Sequence, residues 1–278
     1  MAEGGGGRTD LQSLLDFRGK TALVTGVLDA QSIAWPIASR LNDGGARLAI
    51  SIQRKAVRRL IGDLFDRLRD PVVVECDVSD DAAVERMYAQ VGQALGHLDF
   101  LVHSIAYAPP RSFEKPFVET MRDDFMTALD VSAYSLIALA RGALPFMRER
   151  GGCILTLTYL AGERVIPGYK LMSVAKAALE NIVKNLAYEL APYRIRVNAL
   201  SPGPVATKAG TSIPGFALMH SHFRETNPLQ TDIQNTDVGN AALFLLSPMA
   251  EKITGEIIHI DGGYHVLGMA VKPKAGQA

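Results

Sequence analysis

Seven short runs rich in β-branched and other apolar residues recur along the chain, each separated from the next by a helical pattern. They are Thr21 to Thr25, Arg47 to Ser51, Val72 to Cys76, Leu98 to Val102, Cys153 to Leu157, Arg196 to Leu200 and Glu256 to Ile260. Their character is near-continuous rather than alternating, which means that both faces of each strand are covered. This pattern predicts an α/β chain folded as one doubly wound domain, with a seven-stranded parallel sheet and helices on both faces. In such a sheet, ligands lie beyond the carboxyl ends of the strands, where the strand order reverses. The residues that follow each run are therefore the ones to read for chemistry.

No stretch rich in Pro, Ser or charge divides the 278 residues, so a single core is expected over residues 13–270. Residues 1–12, with Gly4 to Gly7 in a row, read as a disordered leader, and 271–278 as a flexible tail. Lys and Arg total 29, as do Asp and Glu, which favours neither nucleic acid nor an anionic membrane as partner. The basic cluster Arg54, Lys55, Arg58 and Arg59 reads as a solvated helix face. Cys76 and Cys153 are far apart in apolar runs, which suits reduced, buried thiols and no thiolate metal site. The N-terminus lacks an apolar secretion segment and no apolar run reaches membrane-spanning length, so a cytoplasmic protein is expected.

The strand ends carry a consistent set of residues. After the first run comes Gly26, which allows a sharp turn near phosphate, and Ser32, placed to cap a helix running to about Asn42. Gln53 follows the second run, where an adenosine ribose would lie. It lacks the charge that repels a 2′-phosphate, and Arg54 and Lys55 beside it would attract one. A charged helix is expected from there to about Arg69. The third run ends at Asp77-Val78, suited to an adenine amino group, before a helix opening near Ser79. The fourth ends at His103-Ser104-Ile105-Ala106-Tyr107-Ala108, where small residues permit close backbone approach to a ribose or nicotinamide. Taken in order, they read as a dinucleotide site in a Rossmann-like fold, although each alone is an ordinary turn.

Tyr169 and Lys176 stand seven residues apart at the start of a long helical stretch. At about 100° per residue this spacing places both on one helix face. A phenol there can donate to a reacting oxygen, while the ammonium grips a polar ligand and is expected to lower the phenol's pKa.

At this point the chain resembles the short-chain dehydrogenase/reductase superfamily, and within it the divergent enoyl-acyl carrier protein reductases. The matching segments are Gly26-x5-Ser32-Ile33-Ala34, Cys76-Asp77-Val78, His103-Ser104-Ile105, Leu157 to Glu163, Tyr169-x6-Lys176, Arg196-Val197-Asn198-Ala199, Gly203-Pro204-Val205 and Ile260 to Gly263. Ordinary superfamily members place Lys four residues after the tyrosine, where this chain has Ser173. The longer interval and a second tyrosine ten residues upstream, Tyr159, mark the enoyl reductase branch. Trp35-Pro36 in the first helix, Pro202 and Gln230 depart from the family pattern and bear on how tightly cofactor is held.

The resemblance implies reduction of a trans-2-enoyl thioester carried on acyl carrier protein, with Tyr159, Tyr169 and Lys176 as the catalytic group. It implies cofactor contacts from Gly26, Ser32, Ile33, Gln53, Asp77, Val78, Ile105, Lys176, Val205, Ala206, Thr207, Lys208 and Ala209. NADH is favoured through Gln53, with NADPH left open by Arg54 and Lys55. Substrate contacts fall to Ala108, Tyr159, Tyr169, Met172, Ile213, Phe216 and Met219, and residues 207–223 read as a mobile apolar lid that also carries Leu218 and Phe223. No metal is implied: His220 and His222 lack a third ligand. A homotetramer is expected, with Ala175, Ala177 and Ala178 offered for close helix packing. Another reductase of the superfamily, such as a 3-oxoacyl reductase, or a silent nucleotide-binding scaffold are the alternatives.

Overall fold

The computed structural model describes residues 11–54, 61–269 and 271. The expected disordered ends lie outside these apart from Leu11, Gln12 and Val271, and Leu11–Leu14 form a helical turn. Lys55, Arg58 and Arg59 also lie outside them.

All seven expected strands form: β1 (Thr21–Thr25), β2 (Arg47–Ile52), β3 (Val72–Glu75), β4 (Phe100–His103), β5 (Gly152–Leu157), β6 (Ile195–Pro202) and β7 (Ile257–Ile260). They make one sheet in the order β3-β2-β1-β4-β5-β6-β7, and every pairing is parallel. From β1 the chain builds outward to β3, then returns to the other side of β1 for β4. The order reverses there, and a crevice opens beyond the carboxyl ends of β1 and β4. β4 starts later than the run at Leu98 suggests because Asp99 serves as an anchor. Its Oδ2 accepts from the Thr21 backbone N–H at 2.9 Å and its Oδ1 lies 3.1 Å from Lys20 Nζ.

The longer helices among the described residues are α1 (Ala34–Asp43), α2 (Asp81–Leu95), α3 (Arg122–Leu129), α4 (Ser135–Met147), α5 (Leu171–Leu190), α6 (Phe216–Thr226) and α7 (Asn235–Leu246). The pleat of β1 sorts the core. Ala22 and Val24 pack on one face with Ile37 and Leu41 of α1 and Leu245 of α7. Leu23 points the other way, to Met87 of α2, Leu139 of α4 and Val183 of α5. Each fully buried side chain of this size contributes about 1.5–3 kcal/mol.

Local departures from expectation have physical causes. Between β2 and β3 much of the expected charged helix lies outside the described residues; Ile61 is helical and Gly62–Arg67 follow as a 3-10 helix. Ser32 does not cap α1: its Oγ accepts from the backbone of Leu28 and Asp29, at 3.0 and 3.1 Å, and so folds the preceding loop onto itself. Asp80, not Ser79, caps α2 by accepting from Ala82 N–H, while Ser79 is held by Asp77. Pro36 is buried in the first turn of α1, where no intrahelical donor is lost. Gly239 on α7 makes room for it, since a Cβ there would lie 2.9 Å from Pro36 Cβ.

Gly26 sets the crevice. Its φ is +84°, and a Cβ would fall 1.8 Å from the carbonyl oxygen of Ser104, so the turn after β1 and the chain leaving β4 touch backbone to backbone. Gly26→Ala is expected to cost at least about 1–2 kcal/mol from the left-handed backbone alone, with more for the clash. Chemical denaturation checks this; wild-type stability in the variant would contradict it.

Candidate active site

A cleft of 1060 Å³ occupies the crevice at the switch point. Gly26, Ser32, Ile33, Gln53, Asp77, Val78 and Ile105 line one stretch of it, all delivered by the ends of β1 to β4. Ala108, Tyr159, Tyr169, Met172 and Lys176 line the rest, with Val205, Thr207, Lys208, Ala209, Ile213, Phe216 and Met219 along one side. Ala206 is the exception: it is exposed and outside the wall, because the chain turns its side outward between Val205 and Thr207. Leu28, Phe113, Asp130 and Val131 also line the cleft. The sequence gives little sign of them, since Asp130 and Val131 sit in a wide π turn between α3 and α4 rather than after a strand.

Tyr169 and Lys176 line the same cleft, but not as two points on one helical stripe. α5 begins at Leu171, and Lys170 between them has φ +43° and ψ −119°, outside the helical region. That unusual conformation is clamped by the Lys170 side chain, whose Nζ donates to Phe113 O at 2.6 Å and Lys115 O at 2.7 Å. Tyr169 therefore projects from the approach to the helix, whereas Lys176 projects from its second turn.

Lys176 is 5% exposed, and its Nζ donates to the carbonyl of Leu157 at the end of β5, at 2.7 Å. Burial pulls its pKa down to about 8, with Glu180 acting against that fall. The phenol of Tyr169 moves the other way from the expected lowering: burial raises it. Burial raises Tyr159 as well, and Tyr169 beside it adds to the effect. The two rings lie 4.9 Å apart at a tilt of 54°, so the cleft presents two neutral phenols. A neutral phenol is a hydrogen-bond donor, not a base. His103, on β4, is fully buried between Thr156 Oγ1 at 2.7 Å and Ser135 Oγ at 2.8 Å. Burial lowers its pKa to about 3, which makes it a neutral strut joining β4, β5 and α4. Burial also pushes Cys76 up to about 12 and Cys153 to about 11, so neither thiol is a nucleophile at neutral pH.

At the far end Gln53 Nε2 donates to Asp77 Oδ2 at 3.3 Å, and Arg54 stands beside them in the wall. The hydrogen bond from Ser79 holds the Asp77 carboxyl below its usual range. Across the middle, Lys208 Nζ pairs with Asp29 at 3.1 Å and so ties the turn after β1 to the chain after β6. Burial works against the charge on Asp29, but hydrogen bonds from Lys208 and Ser32 leave its carboxyl below the usual range.

The segment after Thr207 holds a short turn, Lys208–Thr211, and then α6. Phe216 and Met219 face the cleft with Ile213, while Phe223, one turn further on the same stripe, is buried in the core against Tyr264. Leu218 is off that stripe and 79% exposed. The Met219 sulfur accepts from Tyr159 Oη at 3.5 Å, which links this helix to the phenol pair. His220 stacks on Phe216 and pairs with Asp232. Among the described residues, no three His, Cys, Asp or Glu side chains converge as a metal site.

Comparison with known proteins agrees with this geometry. A family model described as enoyl-(acyl carrier protein) reductase matches residues 26–265. The enoyl-[acyl-carrier-protein] reductase [NADH] FabI of Aquifex aeolicus is 43% identical over 253 residues, which is 91% of this chain and 94% of that one. The corresponding Synechocystis protein is 41% identical, over 92% of this chain and all of its own length. Among solved structures, the Bacillus cereus enoyl-acyl carrier protein reductase with NADP+ and indole naphthyridinone superposes with a TM-score of 0.88 at 41% identity, covering 91% of this chain and 99% of that one. The chain belongs to the enoyl-acyl carrier protein reductase family.

Proposed function

We infer that the protein reduces the carbon–carbon double bond of a trans-2-enoyl thioester carried on acyl carrier protein, with NADH as the reductant. One observation carries this: Tyr159, Tyr169 and Lys176 meet in a single cleft that runs on to Gln53 and Asp77 across the switch point. The residues present suit a dinucleotide. Gly26 lacks the Cβ that would meet Ser104, and the buried Lys176 ammonium has one bond to protein and donors to spare. When bound, the nicotinamide supplies the hydride that the β-carbon accepts.

The protein's part is to hold and polarise. Tyr169 donates a hydrogen bond to the thioester oxygen as enolate charge gathers there, an interaction stronger in the transition state than in the ground state. Its raised pKa keeps the proton on the phenol until that charge appears. Lys176 holds the ribose hydroxyls of the cofactor and makes the local field positive. Tyr159 orients the thioester beside Tyr169. Ala108, Met172, Ile213, Phe216 and Met219 take the acyl chain, and residues 207–223 act as a lid that keeps water from the reacting atoms.

The favoured cofactor follows from Gln53, which offers an amide to the adenosine ribose and already spans to Asp77. The homotetramer remains a proposal, and its expected contact changes. Ala175 of α5 is buried inside the subunit and Ala177 is exposed, so they form no common stripe. Phe117, Val118, Met121 and Met126 around α3, and Tyr188 on α5, are exposed apolar groups that suit a subunit contact. Among the described residues, no helix is long and apolar enough to cross a membrane.

Three outcomes are expected. Tyr169→Phe should lower kcat with a crotonyl thioester at least about tenfold while NADH still binds, measured by loss of reduced-nicotinamide absorbance; unchanged turnover would remove Tyr169 from the chemistry. The ratio kcat/KM should be higher with NADH than with NADPH, and the reverse order would assign Arg54 to a 2′-phosphate. Sedimentation should give four chains per particle, whereas a monomer would refute the assembly.

A further inference from the structure

Glu180 stands one turn beyond Lys176 on α5, and the two residues are 6% and 5% exposed. Residues four apart share a helix face, so carboxylate and ammonium lie on the same buried side, each bonded to β5 rather than to the other. β5 reaches that face through two consecutive residues. The Leu157 carbonyl accepts from Lys176 Nζ at 2.7 Å, and Thr158 Oγ1 donates to Glu180 Oε1 at 2.6 Å. Space for the carboxylate is kept by Gly162, where a Cβ would lie 2.5 Å from Glu180 Oε1. Burying a carboxylate costs free energy unless hydrogen bonds and an opposite charge compensate it. Thr158 supplies the hydrogen bond, and Lys184 and Lys176 supply positive charge at longer range.

We propose that Glu180 is a positioning residue: anchored by Thr158 and one turn along the same buried helix face, its carboxylate acts through space to keep Lys176 charged in the cleft wall. This rests on the reading of Lys176 as the group that binds the cofactor ribose. Other groups bear on the pair. Glu163, from the connection after β5, opposes a charge on Glu180, and Lys184 on α5 supports it. His103 of β4 feels the Lys176 charge, and Asp130 of the turn between α3 and α4 shares the cleft wall. Burial lifts the Glu180 carboxyl above its usual range, with the Thr158 bond opposing that rise. Burial brings Lys176 to about 8, and Glu180 resists that fall. Removing the carboxylate charge therefore lets the ammonium lose its proton at lower pH.

NADH binding followed by its fluorescence across pH 6–10 tests this without any enoyl substrate. Wild type should lose affinity on an alkaline limb that Lys176→Met abolishes. Glu180→Gln, which keeps the shape of the side chain, should move that limb to lower pH by about half a unit or more. Thr158→Val should move it in the same direction and Thr158→Ser should restore it. A limb unmoved in folded Glu180→Gln and Thr158→Val, yet absent in Lys176→Met, overturns the proposal alone. A limb that persists in Lys176→Met overturns the Lys176 reading with it. If Glu180→Gln does not fold, the two Thr158 variants decide by the same criterion.

Discussion

The bond from Lys176 Nζ to the Leu157 carbonyl joins the sheet, the long helix and the chemistry in one contact. An ammonium without partners in a protein interior is strongly unfavourable. Here it bonds to the last residue of β5, at the carboxyl edge of the sheet where the crevice opens. The α5 helix is thereby fixed in height relative to the strand ends, and Tyr169, two residues before that helix, takes its place beside Tyr159. Lys176 also lines the cleft, so its charge bears on whatever occupies it.

Around that contact the electrostatics divide into charged and neutral parts. Burial raises both phenols and lowers His103, so these side chains stand at the site as neutral dipoles and struts. Such groups need little reorganisation when negative charge develops on a substrate oxygen. Charge lies on Lys176, on the Asp29–Lys208 pair that bridges the two loops around the cleft, and on Asp77 and Arg54 at its far end.

Much of this was legible in the sequence, for definite reasons. Parallel strands buried on both faces leave near-continuous apolar runs, so all seven strands and the crevice at their ends could be read directly. The residues expected at those ends line the cleft, Ala206 excepted. What escaped depends on contacts between distant segments. Tyr169 was expected on the helix face, but the backbone at Lys170 is set by carbonyls at Phe113 and Lys115, more than fifty positions away. Ser32 has the composition of a cap, yet the loop before it takes its hydroxyl first. The expected lowering of the Tyr169 phenol ignored burial, which no local pattern reports. Asp130 and Val131 line the cleft only because a wide helical turn carries them there.

The destination of the two electrons separates enoyl reduction from carbonyl reduction. NADH carrying deuterium at C4 of the nicotinamide, supplied with an enoyl thioester, gives a product whose label can be located by mass spectrometry and NMR. Deuterium on the β-carbon of a saturated acyl thioester is the predicted result. Deuterium on a former carbonyl carbon, or none in the acyl chain at all, would contradict it.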